Sequence, residues 1–378
     1  MDPWLLAPVA LIICLGIIMV GSASIAVAES QGVGATHYLV RHLMYIGMGL
    51  VLAAMFRLIP IDFLERVSAP MMLLAALTLL LVFVPGLGHS VNGSARWIRL
   101  GITNFQVVEA AKVMVIIYMA GYLVRKSENI RSRFFDTFKP LLLAGLLTGI
   151  LLLQPDMGSA AVITAVVGGM VWLAGAAWRH ILAMSLFVLP VFAYAAMEPY
   201  RLRRIVSFAD PWADPFASGF QLTQALIAVG RGELWGVGLG ASVQKLFYLP
   251  EAHTDFIFAV LAEEFGLLGV IAVLALFGLL VARIMSIGVM AHRADKPFAG
   301  NLAFGIGLWL GLQALVSIGV NLGVLPTKGL TLPLISSGGS SVLMTCLALG
   351  IVFRIRYELV CDAATTIKAR LGSSRKRI

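Results

Sequence analysis

The chain has 378 residues, 60% of them hydrophobic and only 12% charged, with a formal charge of +9. Soluble domains carry about 45–50% apolar and about 25% charged residues, so a soluble fold is excluded. The basic residues are scattered through short loops rather than gathered into one polar domain, which argues against nucleic acid as a partner.

Apolar runs of about 20 residues recur along the chain, each long enough to cross about 30 Å of hydrocarbon as a helix, the form that satisfies its own backbone there. The predicted spans, about ten in number, begin near Trp4, Tyr38, Ala69, Val107, Pro140, Gly158, Arg179, Asp255, Asn301 and Gly338. The first run ends in Ala26-Val27-Ala28, which looks like a leader-cleavage site. Its amino-terminal side has Asp2 but no Lys or Arg, and its apolar stretch exceeds the roughly 7–15 residues of a leader core, so it is read as an uncleaved helix. The expected fold is an all-α polytopic membrane protein, a single domain over 1–378, with short turns between helices. Its one large loop, residues 198–254, falls between the seventh and eighth helices, and residues 359–378 form a basic tail.

Lys and Arg set the orientation. Arg125, Lys126, Arg131 and Arg133 share one loop, Arg293 and Lys296 another, and Arg375, Lys376 and Arg377 the tail. The positive-inside rule places these segments and both termini in the cytoplasm and the 198–254 loop outside. The tail reads as a topology anchor touching anionic lipid. Cys14, Cys346 and Cys361 imply neither a disulfide framework nor a metal knuckle.

Glu109 and Lys112 stand three apart in the fourth span, so they share a helix face and can pair. Intramembrane charges usually face a polar cavity, although a structural ion pair joining two helices fits equally well. Asp255 stands at the mouth of the eighth span, where it reads either as a helix cap or as a general base. Behind it Ala259, Ala262, Gly266 and Gly269 form a small-residue stripe that lets another helix approach. Glu263 and Glu264 are adjacent, so they point about 100° apart and cannot both face one cavity. Arg201, Arg203, Arg204, Arg231 and Lys245 in the large loop suit a phosphate partner, or ordinary headgroup contact. Gly236, Gly238 and Gly240 mimic a nucleotide loop, but no strand precedes them and no Lys-Ser or Lys-Thr follows, so nucleotide binding is rejected.

In this order the motifs resemble the SEDS family of shape, elongation, division and sporulation proteins over nearly the whole chain. The matching stretches are Asn92-Gly93-Ser94-Ala95-Arg96-Trp97-Ile98, the Glu109–Lys112 pair, Gln154-Pro155-Asp156-Met157-Gly158 and Gly219-Phe220-Gln221. The most specific are Tyr248-Leu249-Pro250-Glu251-Ala252-His253-Thr254-Asp255 and Gly338-Gly339-Ser340-Ser341. Leu325-Pro326-Thr327-Lys328-Gly329 and Gly230-Arg231-Gly232-Glu233 are similar to the division-type branch rather than the elongation-type one. Val107-Val108, Phe247 and Ser337 depart from the family's usual residues.

The resemblance implies a peptidoglycan glycosyltransferase of the bacterial inner membrane, working at the division septum on lipid II and the growing glycan chain. It implies that Asp255 is the general base of an inverting transfer on the outer face. Arg96, Arg204, Arg231, Lys245 and Lys328 are the candidate pyrophosphate cations, His253 joins the substrate-binding set, and Glu109 with Lys112 shapes the cavity. A divalent ion, Mg or Mn, is a candidate cofactor, with its ligands unassigned, and no organic cofactor is expected. The implied partners are a class B penicillin-binding transpeptidase and division-complex regulators. Two rival readings are a lipid II flippase, with intramembrane charges lining its path, and a non-catalytic division scaffold.

Overall fold

A computed structural model describes residues 2–91, 94–100, 103–327 and 329–375. Helices α1 (Pro3–Ser30) and α2 (His37–Leu58) lead through the short α3 (Ile61–Arg66) to α4 (Met71–Leu80). Next come strands β1 (Gly88–Val91), β2 (Ser94–Leu100) and β3 (Thr103–Gln106), paired antiparallel in that order. The sheet feeds directly into α5 (Val107–Arg125), and α6 (Ser127–Ser132) turns the chain into α7 (Phe134–Leu153), α8 (Met157–Leu173) and α9 (Trp178–Ala196). The expected large loop contains two helices, α10 (Pro199–Ala209) and α11 (Phe220–Arg231), before α12 (Ile257–Arg293), α13 (Pro297–Asn321) and α14 (Gly339–Arg375) close the fold.

Seven of these helices, α1, α2, α5, α7, α9, α12 and α13, are long and apolar enough to cross a membrane, and Met71–Phe83 and Met157–Leu173 are shorter apolar helices. Most expected spans begin within two residues of a helix start, whereas Pro140 and Asn301 fall inside α7 and α13, which begin at Phe134 and Pro297. The sheet over residues 88–106 corrects the all-α expectation. Its pairings, such as Trp97 with Gln106 and Ile98 with Phe105, let a polar segment satisfy its backbone beside the bundle.

The core centres on α5, whose apolar window is 89% buried against 17% for α9. A helix surrounded by protein on all sides needs no polar face, whereas α9 turns apolar side chains outward. α5 packs between α4, α8 and α13. Small residues permit the closest approaches: a Cβ on Gly350 of α14 would lie 2.4 Å from the Ala53 carbonyl of α2.

Candidate active site

A cleft of about 360 Å³ opens at one end of the bundle. Gln106, Asp156 and Phe256, the residues preceding α5, α8 and α12, line it together with Ser340 and Ser341 from the first turn of α14. Four helix amino termini therefore meet there, each with unpaired N–H groups and the positive end of its dipole, an arrangement that favours an anion. Three starts have side-chain partners: Gln106 N donates to Ser340 Oγ (2.8 Å), Asp156 accepts from Ser159 N (3.1 Å), and Ala259 N of α12 donates to the Asn321 side chain (3.0 Å).

Arg96, Arg201 and Arg204 line the same cleft. Arg96, from β2, donates to the Gln154 (3.4 Å) and Pro155 carbonyls and lies 3.8 Å from Asp156, which ties the sheet to the α7–α8 turn. Arg201 holds the Ala195 (2.8 Å) and Leu152 (3.2 Å) carbonyls. Arg204 stacks over Tyr200 at 4.6 Å and donates to the Thr327 carbonyl at 3.4 Å. Each guanidinium is oriented by one or two of its donors and keeps others for a ligand.

Asp255 lies in the cleft with Glu251 and Asp156. It does not cap α12: Phe256 is the N-cap, without a side-chain cap bond. Asn321, at the end of α13, does that work from outside the helix. Its Oδ1 accepts from Ala259 N (3.0 Å) and its Nδ2 donates to the Asp255 (3.0 Å) and Ser317 (2.8 Å) carbonyls. Ser336 Oγ donates to the Thr254 carbonyl (2.7 Å), and Ser337 N to that of His253 (3.0 Å). Three consecutive carbonyls, 253 to 255, are thus each held by a different residue.

The Asp255 carboxylate itself receives no hydrogen bond among the described residues, and a methyl group on Gly329 would lie 3.2 Å from its Oδ2. Burial pushes its pKa up to about 7, with Glu251 and Asp156 pushing the same way and Arg96 and Arg204 opposing. A carboxyl with a pKa raised to about 7 and no hydrogen-bond donor among the described residues is suited to accept a proton.

The other expected site residues are placed differently. Arg231 pairs with Glu263 at 3.4 Å and Lys245 with Glu264 at 2.8 Å, and neither lines the cleft. In this structure both expected substrate cations are turned to buried carboxylates, away from the cleft. His253 turns its ring onto Tyr38, centroids 4.8 Å apart, and its burial lowers its pKa. Glu109 and Lys112 pair at 2.8 Å behind the cleft wall. Lys112 also donates to Gln313 (2.9 Å), which takes a bond from Trp309 (2.7 Å) and donates to the carbonyl of cleft residue Thr331 (3.1 Å). Lys328, Asn92, Gly93, Lys376 and Arg377 lie outside the described residues, as do the side chains of the preceding tail residues.

Asn321 and Ser336 are not singled out from sequence, and Asp156 and Glu251 stand there only within motifs, without a role of their own. Asn321 does carry a signal, a polar residue closing an apolar span, and Asp156 and Glu251 carry that of their motifs. Among the described residues no group of three or more His, Cys, Asp or Glu side chains could hold a metal ion.

Apolar helices around a polar, arginine-lined cleft at one end define a polytopic membrane protein. The chain belongs to the family described as Cell cycle protein, the group of FtsW, RodA and SpoVE, whose pattern matches residues 3–360. Its relatives include the Probable peptidoglycan glycosyltransferase FtsW of Xanthomonas oryzae pv. oryzae, 50% identical over 98% of this chain and 75% of that protein. The protein of the same name from Coxiella burnetii is 49% identical over 94% of this chain and 96% of its own length. Among solved structures, one described as "Structural coordination of polymerization and crosslinking by a peptidoglycan synthase complex" matches with a TM-score of 0.76 at 32% identity, over 95% of this chain and 98% of that one. The Thermus thermophilus rod shape determining protein RodA matches with a TM-score of 0.69 at 31% identity, over 94% of this chain and 97% of its own.

Proposed function

We propose that the chain is a peptidoglycan glycosyltransferase that joins lipid-linked disaccharide-peptide units at the outer face of the bacterial inner membrane during division. The observation that carries the mechanism is Asp255, its pKa raised to about 7 and its carboxylate without a hydrogen bond among the described residues, in a cleft with three arginines and four helix amino termini. The helices form about ten spans, with both termini cytoplasmic. The lipid II pyrophosphate lies among Arg96, Arg201 and Arg204, where the helix dipoles favour its charge. Asp255 takes the proton of the acceptor GlcNAc 4-hydroxyl as that oxygen bonds to the donor MurNAc anomeric carbon. The bond from that carbon to the pyrophosphate oxygen breaks, the centre inverts, and undecaprenyl pyrophosphate leaves with the electron pair. A general base of this kind contributes about a hundred- to ten-thousand-fold.

A divalent cation, Mg or Mn, fits only as an ion shared with substrate, since Asp156 and Glu251 supply one or two carboxylates and phosphate oxygens would complete the shell. When bound, it would neutralise charge growing on the leaving group. The partner is a transpeptidase of the penicillin-binding class, a reading supported by the likeness to a synthase complex that coordinates polymerization and crosslinking.

A flippase needs a polar path through the membrane. Against that reading, the space beside Lys112 is only about 10 Å³, barely enough for one water. The test is glycan synthesis from labelled lipid II by the native chain and Asp255→Asn, each with the transpeptidase. Polymer from the native chain alone is expected. Equal polymer from a folded Asp255→Asn variant would overturn the assignment of the base.

A further inference from the structure

The long apolar helix α12 is interrupted at Gly266, where φ is +64° and ψ −162°. In a continuous helix the N–H groups of Leu267 and Leu268 would bond to the carbonyls of Glu263 and Glu264. The break frees all four groups, and residues 233–238 take them up. Leu267 N donates to the Glu233 carbonyl (2.9 Å) and Leu268 N to that of Leu234 (3.3 Å), while Val237 N donates to the Glu263 carbonyl (3.0 Å) and Gly238 N to that of Glu264 (3.1 Å). Only glycine permits this approach: a Cβ on Gly236 would lie 2.2 Å from the Glu264 carbonyl oxygen, and one on Gly232 2.0 Å from that of Ala262.

Side chains lock the splice. Glu263 accepts from Ser242 Oγ, Val243 N (3.1 Å) and Arg231 (3.4 Å). Glu264 accepts from Lys245 (2.8 Å) and from Ser22 of α1 (2.6 Å).

The height of this splice can be measured along two helices. At the opposite end of the bundle Asp2, at the start of α1, is bonded to Arg283 of α12. From that ion pair, Ser22 along α1 and Glu264 along α12 are each about 20 residues away, or about 30 Å at about 1.5 Å per residue. That distance is the thickness of the hydrocarbon. With the Asp2–Arg283 pair set at the opposite boundary, the Ser22–Glu264 contact and the segment bonded to it lie level with the hydrocarbon boundary on the cleft's side.

There the segment shows apolar side chains outward: Trp235 is 79% exposed, Leu234 and Leu239 58% each. Beside them Leu267 and Leu268 are also exposed, and their N–H groups bond to the Glu233 and Leu234 carbonyls. Irregular backbone at this depth is tolerated where its polar groups are paired, as they are here, and Trp is favoured at such boundaries.

We propose that residues 232–248 are a membrane-interface anchor, with Leu234, Trp235 and Leu239 seated against the lipid of the cleft-side leaflet. The anchor fixes the height of the cleft. Asp255 lies nine residues before Glu264, about 10–14 Å beyond the hydrocarbon. The headgroup layer is about 5–8 Å deep on each side, so the carboxylate stands just past it. On the glycosyltransfer reading above, this is the level of the first sugar on a lipid-linked pyrophosphate. The anchor itself does not depend on that reading.

The test places a nitroxide at Trp235→Cys, in a chain with its three native cysteines replaced, reconstituted in phosphatidylethanolamine–phosphatidylglycerol vesicles. Collision with oxygen, which concentrates in lipid, is compared with collision with a water-soluble nickel chelate. Leu239→Cys repeats the measurement, and Ala213→Cys, exposed earlier in the same extramembrane stretch, is the aqueous control. The expected result is at least a several-fold higher oxygen-to-chelate ratio at 235 and 239 than at 213. Chelate access equal to that at 213 would overturn the proposal. So would protection from both reagents, which would mean that protein rather than lipid covers the segment. Because glycan synthesis is not the readout, an inactive sample still tests the anchor.

Discussion

Glu251→Gln should shift the acidic limb of the pH–rate profile to lower pH. Asp255 is held near 7 first by burial and then by the neighbouring Glu251 charge. A base with a pKa of about 7 is about 9% ionised at pH 6 and about 91% at pH 8, so the native rate should rise about tenfold across that interval. The sign follows from the direction of the shift: a raised carboxyl pKa keeps the proton on at mild acidity, where the proton-accepting form is needed. Removing Glu251 leaves the burial in place and takes away one repulsive charge, so the pKa falls part of the way. A fall to about 6 would bring the ionised fraction at pH 6 to about one half, a roughly fivefold gain, with almost no change at pH 8. The assay is the initial rate of lipid II polymerisation from pH 5.5 to 8.5 with the divalent-ion concentration fixed. Arg204→Gln removes an opposing charge, so its limb should move to higher pH. A native limb near 4, or a Glu251→Gln limb that stays in place or rises, would refute the reasoning.

The raised Asp255 pKa also predicts stability. The group favours the fold while protonated, and that contribution is lost as pH rises from about 3.8 to about 7, so Asp255→Asn should raise the melting temperature more at pH 8 than at pH 5, with an upper bound of about 4 kcal/mol. Lys112→Met should destabilise by about 3–5 kcal/mol by leaving Glu109 buried without its cation, whereas Glu109→Gln with Lys112→Met should recover much of that, as thermal unfolding in detergent would show. Asn321→Ala strips a bond from both Asp255 O and Ala259 N, so kcat should fall more than KM rises; an unchanged kcat in a folded variant would remove Asn321 from any role in positioning the base.

Local periodicity and motif order made the bundle and Asp255 legible. The Glu109–Lys112 pair follows from a three-residue spacing on one helix, a contact that sequence states directly. What was not legible depends on partners distant in the chain. Arg231 and Lys245 look like free cations until the fold brings Glu263 and Glu264 to them, and the two adjacent glutamates serve two cations on either side of one splice. Gly266 reads as one member of a packing stripe because spacing carries no φ angle, yet it is where α12 gives up its own hydrogen bonds. Strands β1 to β3 lie in a polar stretch between spans, where membrane periodicity offers no signal. Asn321 and Ser336 reach Asp255 through its backbone and that of its neighbours, and such contacts leave no sequence pattern.

The tight packing around Lys112 has an electrical consequence. The polar cleft ends at a wall formed by the Glu109–Lys112–Gln313–Trp309 network, with about 10 Å³ of space beside it, too little for a file of waters. Among the described residues, the packing beside Lys112 leaves no room for a file of waters to run inward from the cleft at this point. A small residue in place of Trp309 would open space at this point, and a proton-leak assay in vesicles would show whether the packing there is a seal.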